Sequence, residues 1–332
     1  MRISPRAFER ASMRRRILRW TAGILAGLSV CLAAIVVAAI WRADRTFHAP
    51  APDLRAVADP ETIARGRYLV QGPAHCADCH APPSQKPRVD AGLEADLSGG
   101  YVLKTFLGEM RAPNITSDTA TGIGGITDAE LARFFRFGID HRSQVGLPLM
   151  MYADLSDRDL IAVLSYLRTL PPISHAVPPS SYNILGKITK AYFLEPFAPA
   201  PDTSISPLPG VTREYGGYLA KVVANCASCH TARNMKTGEY TGPPFAGGLV
   251  FRKSDDPGQV MVSPNLTPDP QTGAIAGWSR ERFIERMRRG DLRGWSPMPW
   301  GPYARMSDAD LEAIHLFLLG LEPIHRENRP PK

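Results

Sequence analysis

The pattern Cys-x-x-Cys-His occurs twice, as Cys76-Ala-Asp-Cys79-His80 and as Cys226-Ala-Ser-Cys229-His230, and it takes four of the five cysteines. A disulfide framework is disfavoured, because four cysteines in two local pairs cannot staple 332 residues. A zinc ribbon would need its two knuckles close together, whereas these stand 150 residues apart. A thioredoxin-type pair belongs in a βαβ setting, and the flanks here read as helix and loop. Covalent attachment of c-type haem uses every residue of the motif. Two thiols one helical turn apart form thioethers with the vinyl groups, and the adjacent imidazole reaches the iron. The expectation is two covalently bound haem c groups, on Cys76 and Cys79 with His80, and on Cys226 and Cys229 with His230.

The second motif is part of a longer duplication. ARGRYLVQGPAHCADCH (64–80) answers EYGGYLAKVVANCASCH (214–230), residues 112–140 answer 263–291, and 155–173 answer 306–324. Each copy predicts a short helix leading to the motif, with Tyr68 or Tyr218 on its buried side. A helix is predicted from Thr127, capped by a Thr-x-x-Glu box with Glu130, and its counterpart begins at Ser279. The last helix starts at Ser156 or Ser307 with Asp159 or Asp310 three residues on. Leu160, Val163, Leu164 and Leu167 form its apolar stripe, and Pro171-Pro172 or Pro323 stops it. Little reads as strand, so the fold class expected is all-α.

A sixth iron ligand is expected to be methionine, whose soft thioether raises the potential for electron transfer. Of ten methionines, Met298 stands between prolines just before the last helix, and Met150-Met151-Tyr152 matches Met298-Pro299-Trp300 if that loop is three residues shorter. Met298 with Met150 gives His-to-Met intervals of 68 and 70 residues. Met151 stays open beside Met150, and Met306 is the competitor of Met298. Met110, Met235, Met261 and Met287 have no methionine at the matching repeat position and read as packing or surface. His75, His141 and His315 read as polar surface or haem-edge residues. Asn114, Thr116, Asn265 and Thr267 either close ordinary turns or donate to haem propionates.

The net charge of +7 is concentrated at the N-terminus, where residues 1–45 hold nine arginines against Glu9 and Asp44. The remainder has 30 basic and 30 acidic side chains, which removes nucleic acid as a partner. Arg14, Arg15, Arg16 and Arg19 precede an uncharged run over 20–41, long enough to cross a bilayer as a helix. The charge bias puts the N-terminus in the cytoplasm and the rest in the periplasm of a Gram-negative host. A cleaved signal peptide is the rival, but the run is longer than a secretory core and no clean cleavage site ends it. Trp20 and Trp41 suit the two interfaces.

The segments RGRYLV, CHTARN, FAGG, SPNLTPDPQTG, PMPW and MSDADL make the chain resemble the membrane-bound multi-haem cytochrome c subunits of bacterial periplasmic dehydrogenases, those serving alcohol, aldehyde, gluconate and fructose. The resemblance spans most of residues 60–325. It implies tandem class I cytochrome c domains with His80/Met150 and His230/Met298 ligation. It also implies electron transfer from a catalytic dehydrogenase subunit towards quinone or a terminal oxidase. The chain departs from relatives that carry three haems and a C-terminal membrane helix, and Met151 replaces the proline expected after the first ligand.

The expected organisation is a tail and single-pass inner-membrane anchor over 1–44, a cytochrome domain over 45–173, a Pro-rich linker over 174–210, a second cytochrome domain over 211–326 and a tail over 327–332. The apolar island ILGKITKAYFLEPF in the linker is expected to pack across the domain boundary, with docking to a partner or the membrane surface as the alternative. With both irons fully ligated, the chain reads as an electron carrier without substrate chemistry. A dihaem subunit of a terminal oxidase is the alternative function, and a dihaem peroxidase a more distant one.

Overall fold

A computed structural model describes residues 5–200, 202–203, 207–234, 238–253, 256, 258–292 and 294–329, with side chains described from residue 13 onward. Met235 and the end of the 327–332 tail lie outside the described residues. The N-terminal run forms α1 (Pro5–Arg42), of which Met13–Arg42 is long and apolar enough to cross a membrane.

The first repeat contains α2 (Pro60–Gln71), α3 (Ala77–His80), α4 (Lys86–Asp90), β1 (Val102–Thr105), β2 (Gly108–Arg111), α5 (Asp128–Phe137) and α6 (Asp157–Thr169). The link contributes β3 (Ser181–Tyr182) and α7 (Ile184–Tyr192). The second repeat contains α8 (Arg213–Tyr218), α9 (Cys226–Cys229), β4 (Val250–Arg252), β5 (Val260–Val262), α10 (Arg280–Arg288), α11 (Trp300–Ala304) and α12 (Asp308–Leu319).

The helix starts follow local chemistry. The Thr127 capping box with Glu130 is formed, and Ser279, Ser156 and Ser307 each accept the amide three residues on. Within each repeat, the helix before the motif crosses the last helix so closely that only glycine fits. A Cβ on Gly66 would stand 1.9 Å from the Ala162 carbonyl oxygen, and one on Gly216 would stand 1.8 Å from that of Ala313. The apolar stripe of α6 and its counterpart on α12 face these crossings and are buried.

The helical scaffold carries two small sheets, so the all-α expectation is corrected to helical with short antiparallel hairpins. One sheet has the order β1-β2-β3 and the other pairs β4 with β5. Strands of two to four residues are too short to write an alternating pattern into the sequence. Met110 and Met261 sit on these strands, opposite Leu103 and Phe251.

The two repeats exchange polar side chains across a common interface. Tyr68 donates to Asp310 at 2.7 Å and accepts the Ser307 amide at 3.1 Å. Reciprocally, Tyr218 donates to Asp159 at 2.9 Å and accepts the Ser156 amide at 3.1 Å. Each tyrosine thus completes the N-terminal cap of the other repeat's last helix. Arg65 forks onto the fully buried Asp159 at 2.9 and 3.0 Å. Burial first, and the neighbouring carboxylate second, push both tyrosine hydroxyls above their usual range, so they remain donors. At the edge, Glu94 joins Arg67 of its own repeat to Arg305 of the other, and α4 packs on α11 at Gly301.

The apolar island of the link does not pack across this boundary. It forms α7, which docks on the end of α1 and on the β1–β2 hairpin, where a Cβ on Gly186 would meet the Leu107 carbonyl oxygen at 2.1 Å.

Candidate haem sites

In both repeats a residue in left-handed conformation precedes the first cysteine, His75 with φ 41° and Asn225 with φ 50°. It stands at the start of the one-turn helix that carries the motif, so the motif lies on α3 and α9 and not at the end of the preceding helix, which in the first repeat has already ended at Gln71. Neither pair of motif cysteines is joined by a disulfide. Burial pushes the Cys76 and Cys226 thiols up to about 12, which keeps them from acting as thiolates in disulfide exchange.

Both histidines are buried and held alike. His80 Nδ1 lies 2.9 Å from the Pro113 carbonyl oxygen, and His230 Nδ1 lies 3.0 Å from that of Pro264. A carbonyl can only accept, so Nδ1 carries the proton and Nε2 keeps its lone pair for a metal. Burial, only partly offset by the carbonyl bond, holds both imidazoles below the usual histidine range and therefore neutral.

The Asn/Thr turns explain how the carbonyl is aimed. Asn114 donates to Thr121 Oγ1 at 3.1 Å and to the Ile173 carbonyl at 2.8 Å, and accepts the Thr116 amide and hydroxyl at 2.9 and 2.7 Å. Asn265 repeats this with Thr272, Ile324 and Thr267. Their hydrogen-bonding capacity is spent on the turn and on the Ile173 or Ile324 carbonyl beyond the last helix, so these residues fix Pro113 and Pro264 and leave nothing for a propionate. Gly99 and Gly247, with φ of 78° and 69°, donate their amides at 2.7 Å to the His80 and His230 carbonyls. A Cβ on either would come within 2.6 Å of a Pro113 or Ser263 oxygen, which accounts for the glycine pairs at 99–100 and 247–248.

Nothing in the sequence marks Tyr152 and Tyr303 as functional, yet each donates at 2.5 Å to the carbonyl two residues before the first cysteine, Ala74 and Ala224. Tyr152 is therefore the counterpart of Tyr303 and not of Trp300. The three extra residues of the second repeat fall between the candidate methionine and this tyrosine, where they form part of α11. The pairing of Met150 with Met298 survives this shift. Both methionines are half-buried against the core, Met151 is not part of that packing, and Met306 is buried in the core as Leu155 is. Two residues beyond Met298, the Trp300 indole nitrogen is buried without a hydrogen-bond partner among the described residues. An unmet buried donor beside the candidate ligand fits a site whose acceptor arrives with a bound group.

The remaining histidines divide. His141 is exposed, as expected of a surface residue. His75 stands edge-on to Tyr303 of the other repeat at 5.9 Å. His315 is not at the surface: it is 3% exposed, takes the place of Leu164, and stacks on Phe283 at 4.9 Å.

No family model matches the sequence. Among characterised proteins, the chain is 31% identical over 223 residues to "Diheme cytochrome c-type" of Cereibacter sphaeroides, covering 65% of this chain and 69% of that one. The chain belongs to this cytochrome c family. It is also 32% identical over 299 residues to the cytochrome c subunit of alcohol dehydrogenase (quinone) of Gluconacetobacter polyoxogenes, and 26% identical over 320 residues to a nicotinate dehydrogenase subunit of Pseudomonas putida. It spans 59% and 25% of the length of these two relatives, while they match 84% and 92% of this chain. Its relatives also include the cytochrome subunits of fructose dehydrogenase and gluconate 2-dehydrogenase.

Proposed function

We propose that the chain is a membrane-tethered dihaem cytochrome c that takes electrons from a periplasmic dehydrogenase subunit and passes them to quinone or a terminal oxidase. The observation that carries this is the twofold occurrence of one site: a Cys-x-x-Cys pair on a one-turn helix beside a buried neutral histidine whose Nδ1 is held by a proline carbonyl. The relatives named as dehydrogenase cytochrome subunits support the donor.

In this reading Cys76 and Cys79 would hold one haem and Cys226 and Cys229 the other, with His80 and Met150, and His230 and Met298, as the side chains offered to the iron. When bound, haem supplies a one-electron couple. The Pro113 and Pro264 carbonyls orient the imidazoles and raise their basicity. The Met150 and Met298 thioethers would favour the reduced iron and, with His80 and His230, would leave the chain an electron carrier without substrate chemistry. The domains run over 45–173 and 211–326, joined by 174–210, and α1 within 1–44 is the inner-membrane anchor with a cytoplasmic N-terminus.

The test is the absorption and magnetic circular dichroism spectrum of the ferric protein, normalised to haem per chain. Two haems, each with the Met-to-iron charge-transfer band, are expected. A single haem, a high-spin component or a bis-histidine spectrum would overturn the assignment.

A further inference from the structure

We propose that α7 lies in the headgroup region of the periplasmic leaflet, with Ile184, Leu185, Ile188 and Tyr192 set into the lipid, so that the haem domains rest on the membrane at two points and not on α1 alone. The proposal rests on the reading of α1 as a membrane anchor. Its starting point is the height at which α7 docks. Ala39 of α1 and Ala43, the residue just after it, are buried in the protein, at 1% and 3% exposed, with Val36 half-buried on the same face. Ala39 lies inside the uncharged run that ends at Trp41, and at about 1.5 Å per residue it is only about 3 Å from that end. The Arg42 Nε donates to the Ala191 carbonyl at 3.0 Å, and Arg45 reaches the Leu194 carbonyl and Glu195. Whatever surrounds the last turns of α1 therefore also surrounds α7.

The faces of α7 are arranged for a lipid boundary. At 100° per residue, positions 184, 185, 188 and 192 share about 100° of arc, and Lys187 and Lys190 lie on the other side. On the apolar arc Leu185 is 51% exposed, and Ile184 and Tyr192 are exposed as well. On the polar side Lys190 contacts Gln144 at 3.1 Å and Asp44 at 3.5 Å. Phe193 continues the apolar surface at 73% exposed. Phe106, also exposed at the tip of the β1–β2 hairpin, is tied to the start of α7 by the Asn183 side chain, which donates to its carbonyl at 2.9 Å. An amphipathic helix with its apolar face open, Lys190 turned back to the protein and its flank fixed to a membrane span matches an interfacial helix.

The experiment uses the full-length holoprotein in phosphatidylethanolamine/phosphatidylglycerol vesicles, in a Cys31→Ser background with the motif cysteines occupied by haem. Nitroxide labels are placed singly at Leu185→Cys and Tyr192→Cys, at Leu28→Cys in α1, and at the exposed Asp53→Cys as the aqueous reference. Power-saturation EPR then compares accessibility to oxygen and to a water-soluble nickel chelate. Expected are oxygen-to-nickel ratios at Leu185 and Tyr192 several-fold above that at Asp53, on the side of the Leu28 value. Nickel-accessible labels on α7 with an embedded Leu28 would overturn the proposal and leave the anchor intact. A nickel-accessible Leu28 would overturn the anchor reading as well. Labels on α7 closed to both reagents would mean a protein surface, such as a second copy, covers the helix, and would also overturn the proposal.

Discussion

His80 and His230 show how little freedom a single functional residue has here. Each is fixed by its place after the second cysteine and by one carbonyl that selects its tautomer, and that carbonyl is aimed by an asparagine whose own bonds are all internal. Methionine is tied down less, and its role is open to direct attack. Met298→Ala is expected to leave the haem attached, lower its potential and admit exogenous ligands such as imidazole, read by redox titration and visible spectra. An unchanged potential together with no ligand binding would remove Met298 from the iron. Tyr218→Phe deletes one hydroxyl that serves Asp159 and the Ser156 amide, both buried. A loss of about 1–3 kcal/mol in unfolding free energy is expected from the stranded groups, measured by denaturant titration.

Among the elements, the helix crossings set the tightest tolerance. Gly66→Ala or Gly216→Ala would place a methyl group within 2 Å of a backbone carbonyl of α6 or α12. Neither partner is a flexible side chain, so the helices must separate, and a destabilisation of about 1–3 kcal/mol or more is expected by thermal unfolding. A melting temperature left within a degree would mean that the crossing can relax. The caps are milder: Ser156→Ala should cost about 1 kcal/mol through loss of the bond to the Asp159 amide. Helix caps, stripes and proline stops were legible in the sequence because each is written within a few neighbouring residues. The hairpins were not, since strands of two to four residues carry no usable period. The correspondence of Tyr152 with Tyr303 was also hidden, because an insertion in the loop can be placed on either side of the tyrosine until its hydrogen bond is seen.

The whole molecule is held together by side chains that leave one repeat for the other, and one of them titrates. Glu94 is partly buried, which alone would raise its pKa, but Arg67 and Arg305 outweigh this and hold it below the usual glutamate range. A carboxyl with a depressed folded-state pKa contributes fully above its unfolded value and loses that contribution as pH falls through the folded value. The Arg305 bridge between repeats should therefore weaken in acid, below about pH 4.5. Compared with the parent, Glu94→Gln should be less stable at neutral pH by about 1 kcal/mol or less for this half-exposed pair, and the two should converge as pH falls. Parallel stability curves from pH 7 to 3 would show that the bridge contributes nothing.

The sequence by itself determined what is local or duplicated: two Cys-x-x-Cys-His motifs, their histidines, the capped starts of the long helices, the candidate methionines and the apolar N-terminal helix. Repetition supplied the missing dimension, because two versions of one pattern mark the positions that chemistry requires. Only the tertiary structure decided what lies between distant segments. It showed that Asn114 and Asn265 serve the proline carbonyls and have no donor to spare, that His315 is a core residue, and that Tyr68 and Tyr218 cap each other's repeats. It also moved the apolar island of the link from the domain boundary to the end of α1. The physical reason is common to these cases: a hydrogen bond or a buried face is defined by its partner, and these partners stand some 35 to 240 residues away along the chain.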